Sequence, residues 1–121
     1  MKGTMKVAVM NGIGKMGYTT RPIPTPKEDE VLVKLEYVGI CGSDMHYYET
    51  GAIGHYVVEP PFVLGHEPGG TVVEVGKKVT HLKVGDRVAG EAHVGCGKCD
   101  NCKKGHYTVC LNYGKDCLLY T

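Results

Sequence analysis

Apolar positions along the chain fall into short runs that glycines, prolines and charged residues separate. The clearest run, residues 30–40 (EVLVKLEYVGI), alternates as a strand does. One face of this strand is predicted to be apolar and to consist of Val31, Val33, Leu35 and Tyr37. Further strands are predicted at residues 6–10, 70–76 and 86–89. Because no long helical stripe occurs, we expect a mainly β fold, a curled sheet or partial barrel with short helical turns.

Turn-forming residues mark the connections between these strands. Residues 21–26 (RPIPTP) hold three prolines, which predicts an extended or turning segment that is not a central strand. Ser43 follows a glycine and precedes a polar and aromatic stretch, so its side-chain oxygen is predicted to cap a short helix. Residues 51–61 are predicted to form a loop that ends in two prolines.

The segment Gly12–Gly17 (GIGKMG) matches the GxGxxG pattern of dinucleotide-binding turns and follows a predicted strand. A true dinucleotide fingerprint opens a helix within a βαβ unit. Here Pro22, Pro24 and Pro26 follow closely and leave little room for a helix. We therefore reject the dinucleotide-binding interpretation and predict no cofactor-binding residues in this chain.

Composition bounds the class of protein. The 121 residues fit one domain, and a hydrophobic content of 42% is ordinary for a soluble globular chain. A formal net charge of +1, from 14 basic and 13 acidic residues, gives no long-range attraction to nucleic acid or an anionic membrane. No membrane-spanning apolar run and no signal-peptide pattern occur. We expect a cytoplasmic protein with neither nucleic-acid nor membrane partners.

Four of the six cysteines crowd into one segment, with the spacing Cys96-x2-Cys99-x2-Cys102-x7-Cys110. In a reducing cytosol, metal binding explains such a cluster better than disulfides do. Four thiolates can surround one zinc ion. When protein side chains occupy all four coordination positions, none is left for a substrate, which is typical of a structural zinc. An iron–sulfur cluster, a CxxC redox pair and unrelated thiols remain alternatives. We predict a structural zinc lobe at residues 95–111.

Cys41 and the pair His66-Glu67 are candidate ligands of a second metal. They lie apart in the sequence and share a site only if the fold brings them together. Taken alone, a cysteine after a strand is typically a small buried hydrophobe. The residues by themselves leave both interpretations open.

Several motifs resemble one enzyme family. Residues 39–46 (GICGSDMH) and 65–76 (GHEPGGTVVEVG) resemble the signatures of the zinc-dependent medium-chain alcohol and polyol dehydrogenases. The cysteine lobe and residues 85–88 (GDRV) are similar to further stretches of that family. Residues 57–67 look most like sorbitol and xylitol dehydrogenases, whereas residues 90–99 (GEAHVGCGKC) look like threonine and butanediol dehydrogenases.

This resemblance implies a fold and an activity. Residues 1–121 would be the amino-terminal portion of a GroES-like catalytic domain, an incomplete and partly open β-barrel, with the Rossmann domain absent. The Gly12–Gly17 motif would be a hairpin turn. The family oxidises a secondary alcohol to a ketone with zinc and NAD or NADP. We expect a small-molecule alcohol or polyol substrate, homo-oligomeric full-length relatives and no activity of this fragment alone.

The resemblance also implies roles for single residues. A catalytic zinc would be held by Cys41, His66 and Glu67, with a fourth position open to water or substrate. Counting the lobe, two zinc sites are expected.

Further roles fall on the segment that follows Cys41. Ser43 would hydrogen-bond the substrate alcohol and His46 would pass its proton outward. Asp44 would orient the zinc-ligand histidine, and Tyr47 would line the substrate pocket. The alternative is a non-enzymatic, zinc-stabilised binding module, which would hold one zinc and give Cys41 no role.

Overall fold

The computed structural model describes residues 2–112. The chain divides into two compact units, Met1–Ala89 and Gly90–Thr121. The described residues form seven β-strands in open sheets, two short α-helices and one 3-10 turn, so the mainly β fold is confirmed. None of the helices in residues 2–112 combines the length and the apolar character needed to cross a membrane. Cys117, for which the sequence suggests only a free thiol, and the end of the proposed domain lie outside the described residues.

The first unit begins with a β-hairpin. Strand β1 (Thr4–Gly12) pairs antiparallel with β2 (Lys15–Pro22), and Ile13 and Gly14 form the turn between them. Gly14 has a φ of 72°, a conformation that glycine adopts without steric cost. The Gly12–Gly17 motif therefore lies in a hairpin, as expected, and a strand rather than a helix follows the turn.

A three-stranded antiparallel sheet has the order β3-β6-β7, with β3 at Val31–Gly39, β6 at Glu67–Val75 and β7 at Arg87–Ala89. These strands confirm the three predicted from the sequence, although β6 begins earlier than Gly70. A Cβ added at Gly70 would overlap the carbonyl oxygen of Lys34, so the close approach of β3 to β6 requires glycine here.

The predicted apolar face of β3 is exposed to solvent in its second half. The register against β6 shifts between Leu32 and Val33 and again between Leu35 and Tyr37. These shifts leave Val73 of β6 and Glu36 of β3 without a residue opposite. From Lys34 to Gly39 the residues of both faces are exposed, with Leu35 at 55% and Tyr37 at 78%.

A short helix and a small hairpin follow β3. Helix α1 (Gly42–Thr50) has Cys41, not Ser43, at its N-cap, so the predicted capping role of Ser43 is wrong. The carboxylate of Asp44 accepts the backbone N–H of Cys41 and thereby supplies the capping hydrogen bond. Residues 51–61 contain a hairpin of β4 (Ala52–Ile53) and β5 (Tyr56–Val57) rather than a plain loop.

The core of the first unit comes from several elements. Its buried hydrophobic residues are Val9, Met10, Tyr47 and Val72. Backbone hydrogen bonds in both directions join Met10 to Phe62, at 2.8 and 3.0 Å. The turn of the first hairpin contacts α1 as well, because Gly14 N–H donates to the carbonyl of Tyr48 at 2.7 Å. Helix α1 is thus hydrogen-bonded to the turn of the first hairpin.

The second unit contains little regular structure. Its described residues form helix α2 (Asp100–Lys103) and a 3-10 turn (Tyr107–Val109). The side chain of Asn101 donates to the carbonyl of Val109 at 2.8 Å and ties the two together. Among the described residues of this unit, only Cys110 is a buried hydrophobic residue. Residues 90–112 of this unit therefore have almost no apolar core of their own.

Candidate metal sites

The four cysteines of the second unit converge on one point. The ligand atoms of Cys96, Cys99, Cys102 and Cys110 all lie within 4.8 Å of one another. The Sγ atoms of Cys96 and Cys102 are 4.0 Å apart, and those of Cys99 and Cys110 are also 4.0 Å apart. Zinc–sulfur bonds of about 2.3 Å in a tetrahedron separate the sulfurs by about 3.8 Å. The sulfur cluster therefore fits a zinc ion with only a small contraction.

Hydrogen bonds to Cys96 favour its thiolate form. The backbone N–H groups of Lys98 and Cys99 donate to its sulfur at 3.4 and 3.3 Å, and the side-chain amide of Asn112 donates at 3.4 Å. These contacts, the N–H of Lys98 foremost, lower the pKa of Cys96 to about 6. The N–H of Cys102 is the main cause of a lowered pKa at Cys99. Both sulfurs are thus prepared to bind a cation.

Cys102 behaves in the opposite way. The N–H of Gly97 lowers its pKa, but burial and the neighbouring thiol of Cys99 outweigh this effect and raise the pKa to about 12. Sulfurs this close cannot all become thiolates without a cation, because each added negative charge opposes the next. A bound divalent cation removes this conflict, since it favours the ionised form of every ligand.

The fold brings the second set of candidate ligands together. Cys41, His66 and Glu67 each place one ligand atom within 4.8 Å of the others. The reason lies in the pairing of β3 with β6, where Gly39 stands opposite Glu67. Cys41 follows the end of β3 and His66 precedes the start of β6, so backbone pairing alone places them side by side. Cys41 and His66 are half-buried, and Glu67 is exposed.

Asp44 connects two of these candidate ligands. It is 5% exposed. Its Oδ2 accepts the backbone N–H of Cys41 at 3.0 Å, and its Oδ1 lies 3.3 Å from Nδ1 of His66. A carboxylate on one ring nitrogen fixes the imidazole orientation and leaves the other nitrogen, Nε2, to bind a metal. The sequence suggested the contact with His66, whereas the contact with Cys41 was missed because it depends on helix capping.

The remaining predicted site residues lie on α1. Ser43 is half-buried and His46 is exposed, and a spacing of three residues places them on neighbouring helix positions. Tyr47 is buried, with its ring centroid 6.3 Å from that of Phe62. A mainly apolar cavity of about 350 Å³ adjoins Asp44, and its wall includes Tyr48 rather than Tyr47.

Two polar contacts of the second unit were not predicted. Besides Asn112 beside Cys96, the hydroxyl of Tyr107 donates to the carboxylate of Glu91 at 3.1 Å. The hydrogen bond raises the pKa of Tyr107, while Glu91 has a lowered pKa caused first by the N–H of His93. These partners are separated by 16 residues in the sequence, so no local pattern signals the pair.

The matching family model and the most similar curated proteins point to the same family. The alcohol dehydrogenase GroES-like domain matches residues 27–118. Sorbitol dehydrogenase of Bacillus subtilis (strain 168) is 54% identical over 88% of this chain and 30% of its own length. Probable D-xylulose reductase A of Aspergillus clavatus is 53% identical over 84% of this chain and 29% of its own length. The chain thus spans about 30% of the length of these curated relatives.

Solved structures share the fold. An Escherichia coli oxidoreductase/dehydrogenase of unknown specificity, involved in membrane biogenesis, has a TM-score of 0.83 and 44% identity. The match covers 100% of this chain and 34% of that chain. Other solved structures of matching fold hold NADP, NADH, or cobalt and zinc.

Proposed function

Because the chain belongs to the alcohol dehydrogenase GroES-like domain family, we propose that it is the zinc-binding part of a dehydrogenase that oxidises a secondary alcohol to a ketone. Relatives named for sorbitol and D-xylulose support a small-molecule alcohol or polyol as the substrate. NAD or NADP, found in structures of the same fold, would accept the hydride. The cofactor-binding residues would lie outside this chain.

One observation carries the proposal. Cys41, His66 and Glu67 converge within 4.8 Å, and buried Asp44 contacts both Cys41 and His66. Three protein ligands leave one tetrahedral position for a substrate, whereas the four cysteines of the lobe leave none. We therefore assign a catalytic zinc to the first set and a structural zinc to the second. A binding module that used only the lobe would have no need for the first set.

The side chains around the proposed catalytic zinc position would have different roles in the reaction. A zinc ion held there would supply Lewis-acid chemistry, which polarises the substrate oxygen and lowers the pKa of the alcohol. Ser43, near the start of α1, would accept the hydrogen bond of the alcohol. His46, exposed on the same helix, would deliver the proton to solvent. Asp44 lies 3.3 Å from Nδ1 of His66, which would leave Nε2 to bind the metal.

The proposal also includes the cellular compartment and the oligomeric state of the longer protein. We assign it to the cytoplasm, because unpaired cysteines of this spacing suit a reducing compartment. The family resemblance supports a homo-oligomer.

Zinc content tests the proposal directly. Purified protein should contain two zinc ions per chain by elemental analysis, and a Cys41→Ser variant should contain one. A control variant, Cys99→Ser, should lose the other ion and keep the Cys41 site. If Cys41→Ser and the unaltered chain hold the same amount of zinc, Cys41 is not a ligand and the alternative of a zinc-stabilised binding module is favoured.

A further inference from the structure

The end of strand β3 carries a glycine whose lack of a side chain matters for the candidate zinc site. Gly39 stands opposite Glu67 in the β3–β6 ladder. A Cβ added at Gly39 would lie 3.1 Å from Cβ of Glu67, 3.2 Å from its Oε2 and 3.4 Å from its Cδ. Carbon and oxygen atoms at van der Waals contact are about 3.5 Å apart or more, so the carboxylate occupies space that a methyl group would need.

We infer that Gly39 is a positioning residue for the proposed zinc site, because its missing side chain leaves the space in which the Glu67 carboxylate stands beside Cys41 and His66. The inference rests on the proposed function. It adds a residue that contacts no metal and acts only through the placement of one ligand.

The direction of the effect follows from what can move. Glu67 is exposed, so its side chain can turn towards solvent when a neighbour crowds it. The backbone of β6 is held by pairing on both sides, with β3 and with β7. Rotation of the Glu67 side chain relieves the contacts with Oε2 and Cδ and moves the carboxylate out of the site. The contact between the two Cβ atoms is not relieved by rotation, and it is the same in a Glu67→Ala background.

Gly39 is also suited to a clean substitution. It is not among the glycines with a positive φ, so alanine fits its backbone conformation. Within a strand, alanine is generally less costly than glycine. Gly42 provides a matched control, since it too lacks a positive φ and an added Cβ would meet no atom within 4 Å. Both glycines lie within two residues of Cys41, yet only Gly39 faces the candidate ligand.

The test uses the 121-residue chain with zinc in the cysteine lobe and Co²⁺ as the probe of the second site. Thiolate-to-cobalt absorption is recorded during a Co²⁺ titration, and the signal of the Cys41→Ser variant is subtracted. Gly39→Ala should raise the Kd for Co²⁺ by about tenfold or more, as changes behind a metal ligand typically do. Gly42→Ala should change it by less than about twofold. Gly39→Ala should keep the amide protection of β3 and β6, which would show that the two strands remain paired.

A double-mutant cycle isolates the route of the effect. Glu67→Ala removes the carboxylate but keeps the Cβ. If Gly39 acts through the carboxylate, Gly39→Ala should weaken Co²⁺ binding by less than about twofold further in that background. Unchanged binding in Gly39→Ala, or an equal loss in both backgrounds, would overturn the inference. If the unaltered chain shows no Cys41-dependent cobalt signal at all, the zinc site of the proposed function is absent and both proposals fail.

Discussion

The two candidate metal sites are built in opposite ways. The cysteine lobe takes all four candidate ligands from residues 96–110, and among the described residues of its unit only Cys110 is a buried hydrophobic residue. The site around Cys41 takes its ligands from the ends of β3 and β6, which a ladder of backbone hydrogen bonds pairs. A metal in the lobe must therefore supply folding energy, whereas a metal at the second site binds to a framework that already exists.

Removal of a lobe ligand should have the largest effect. Cys99→Ser leaves three sulfurs and one hydroxyl, and it also removes the sulfur that accepts the N–H of Cys102 at 3.4 Å. We expect the loss of one zinc per chain and a fall in amide protection across residues 90–112 nearly to that of an unfolded peptide. Hydrogen exchange with mass spectrometry measures this protection. Retained protection without zinc would show that the lobe folds by itself and would break the comparison.

The matching change in the first unit should leave the fold intact. Cys41→Ser should cost one zinc per chain, yet β3 and β6 should keep their amide protection because their pairing does not involve the metal. Hydrogen exchange with mass spectrometry measures the amide protection of both variants. Loss of protection in β6 would mean that the metal organises the sheet, and the two sites would then differ less than the structure indicates.

What the sequence could predict follows the same division. The cysteine lobe was predictable from spacing alone, because its donors are local and their residue type is rare elsewhere in the chain. Cys41 and His66 carried no local signal, and only the resemblance of residues 39–46 and 65–76 to known signatures joined them. Their proximity depends on strand register, which the hydrophobic pattern does not fix across bulges.

Details of β3 and of the start of α1 were not predicted, because they too depend on backbone geometry. The register shifts between β3 and β6 and the exposure of Leu35 and Tyr37 were not predicted, because an alternating pattern contains no information about an inserted residue or about which strand faces are covered. The helix cap was assigned to Ser43 from residue type, whereas the backbone begins the helix one residue after Cys41. The contact of Asp44 with Cys41 followed from that shift and was missed with it.

Asp44 offers a smaller and more specific test of the preformed site. Asp44→Asn keeps the size of the side chain but removes its charge, and an amide cannot accept both contacts as well as a carboxylate does. We expect metal affinity at the Cys41 site to fall by about 10–100-fold. The weakened cap should cost about 1 kcal/mol of stability, measured by thermal unfolding.

Glu49→Gln is the matched control for this change, since Glu49 is an exposed carboxylate on the same helix. It should leave the metal affinity unaltered. Equal losses in the two variants would point to a general charge effect instead of a bridge between two ligands.

The smallest expected effect concerns Tyr107, whose hydroxyl reports on the folding of the lobe. Its hydrogen bond to Glu91 raises its pKa above the ordinary 10.0. Because the folded pKa is the higher one, the hydrogen bond contributes stability below about pH 10 and loses it as the pH rises through the raised pKa. Ultraviolet titration of the unaltered chain minus Tyr107→Phe isolates this group among the eight tyrosines.

In the zinc-loaded chain, the midpoint of that difference titration should lie above 10.0, and Glu91→Gln should bring it back towards that value. In the Cys99→Ser background the midpoint should also return, because a lobe without metal has no means of holding Tyr107 against Glu91. A midpoint that stays raised without zinc would show that the polar contact survives the loss of the metal. The lobe would then be partly preformed, as the Cys41 site is, and the difference between the two sites would be one of degree.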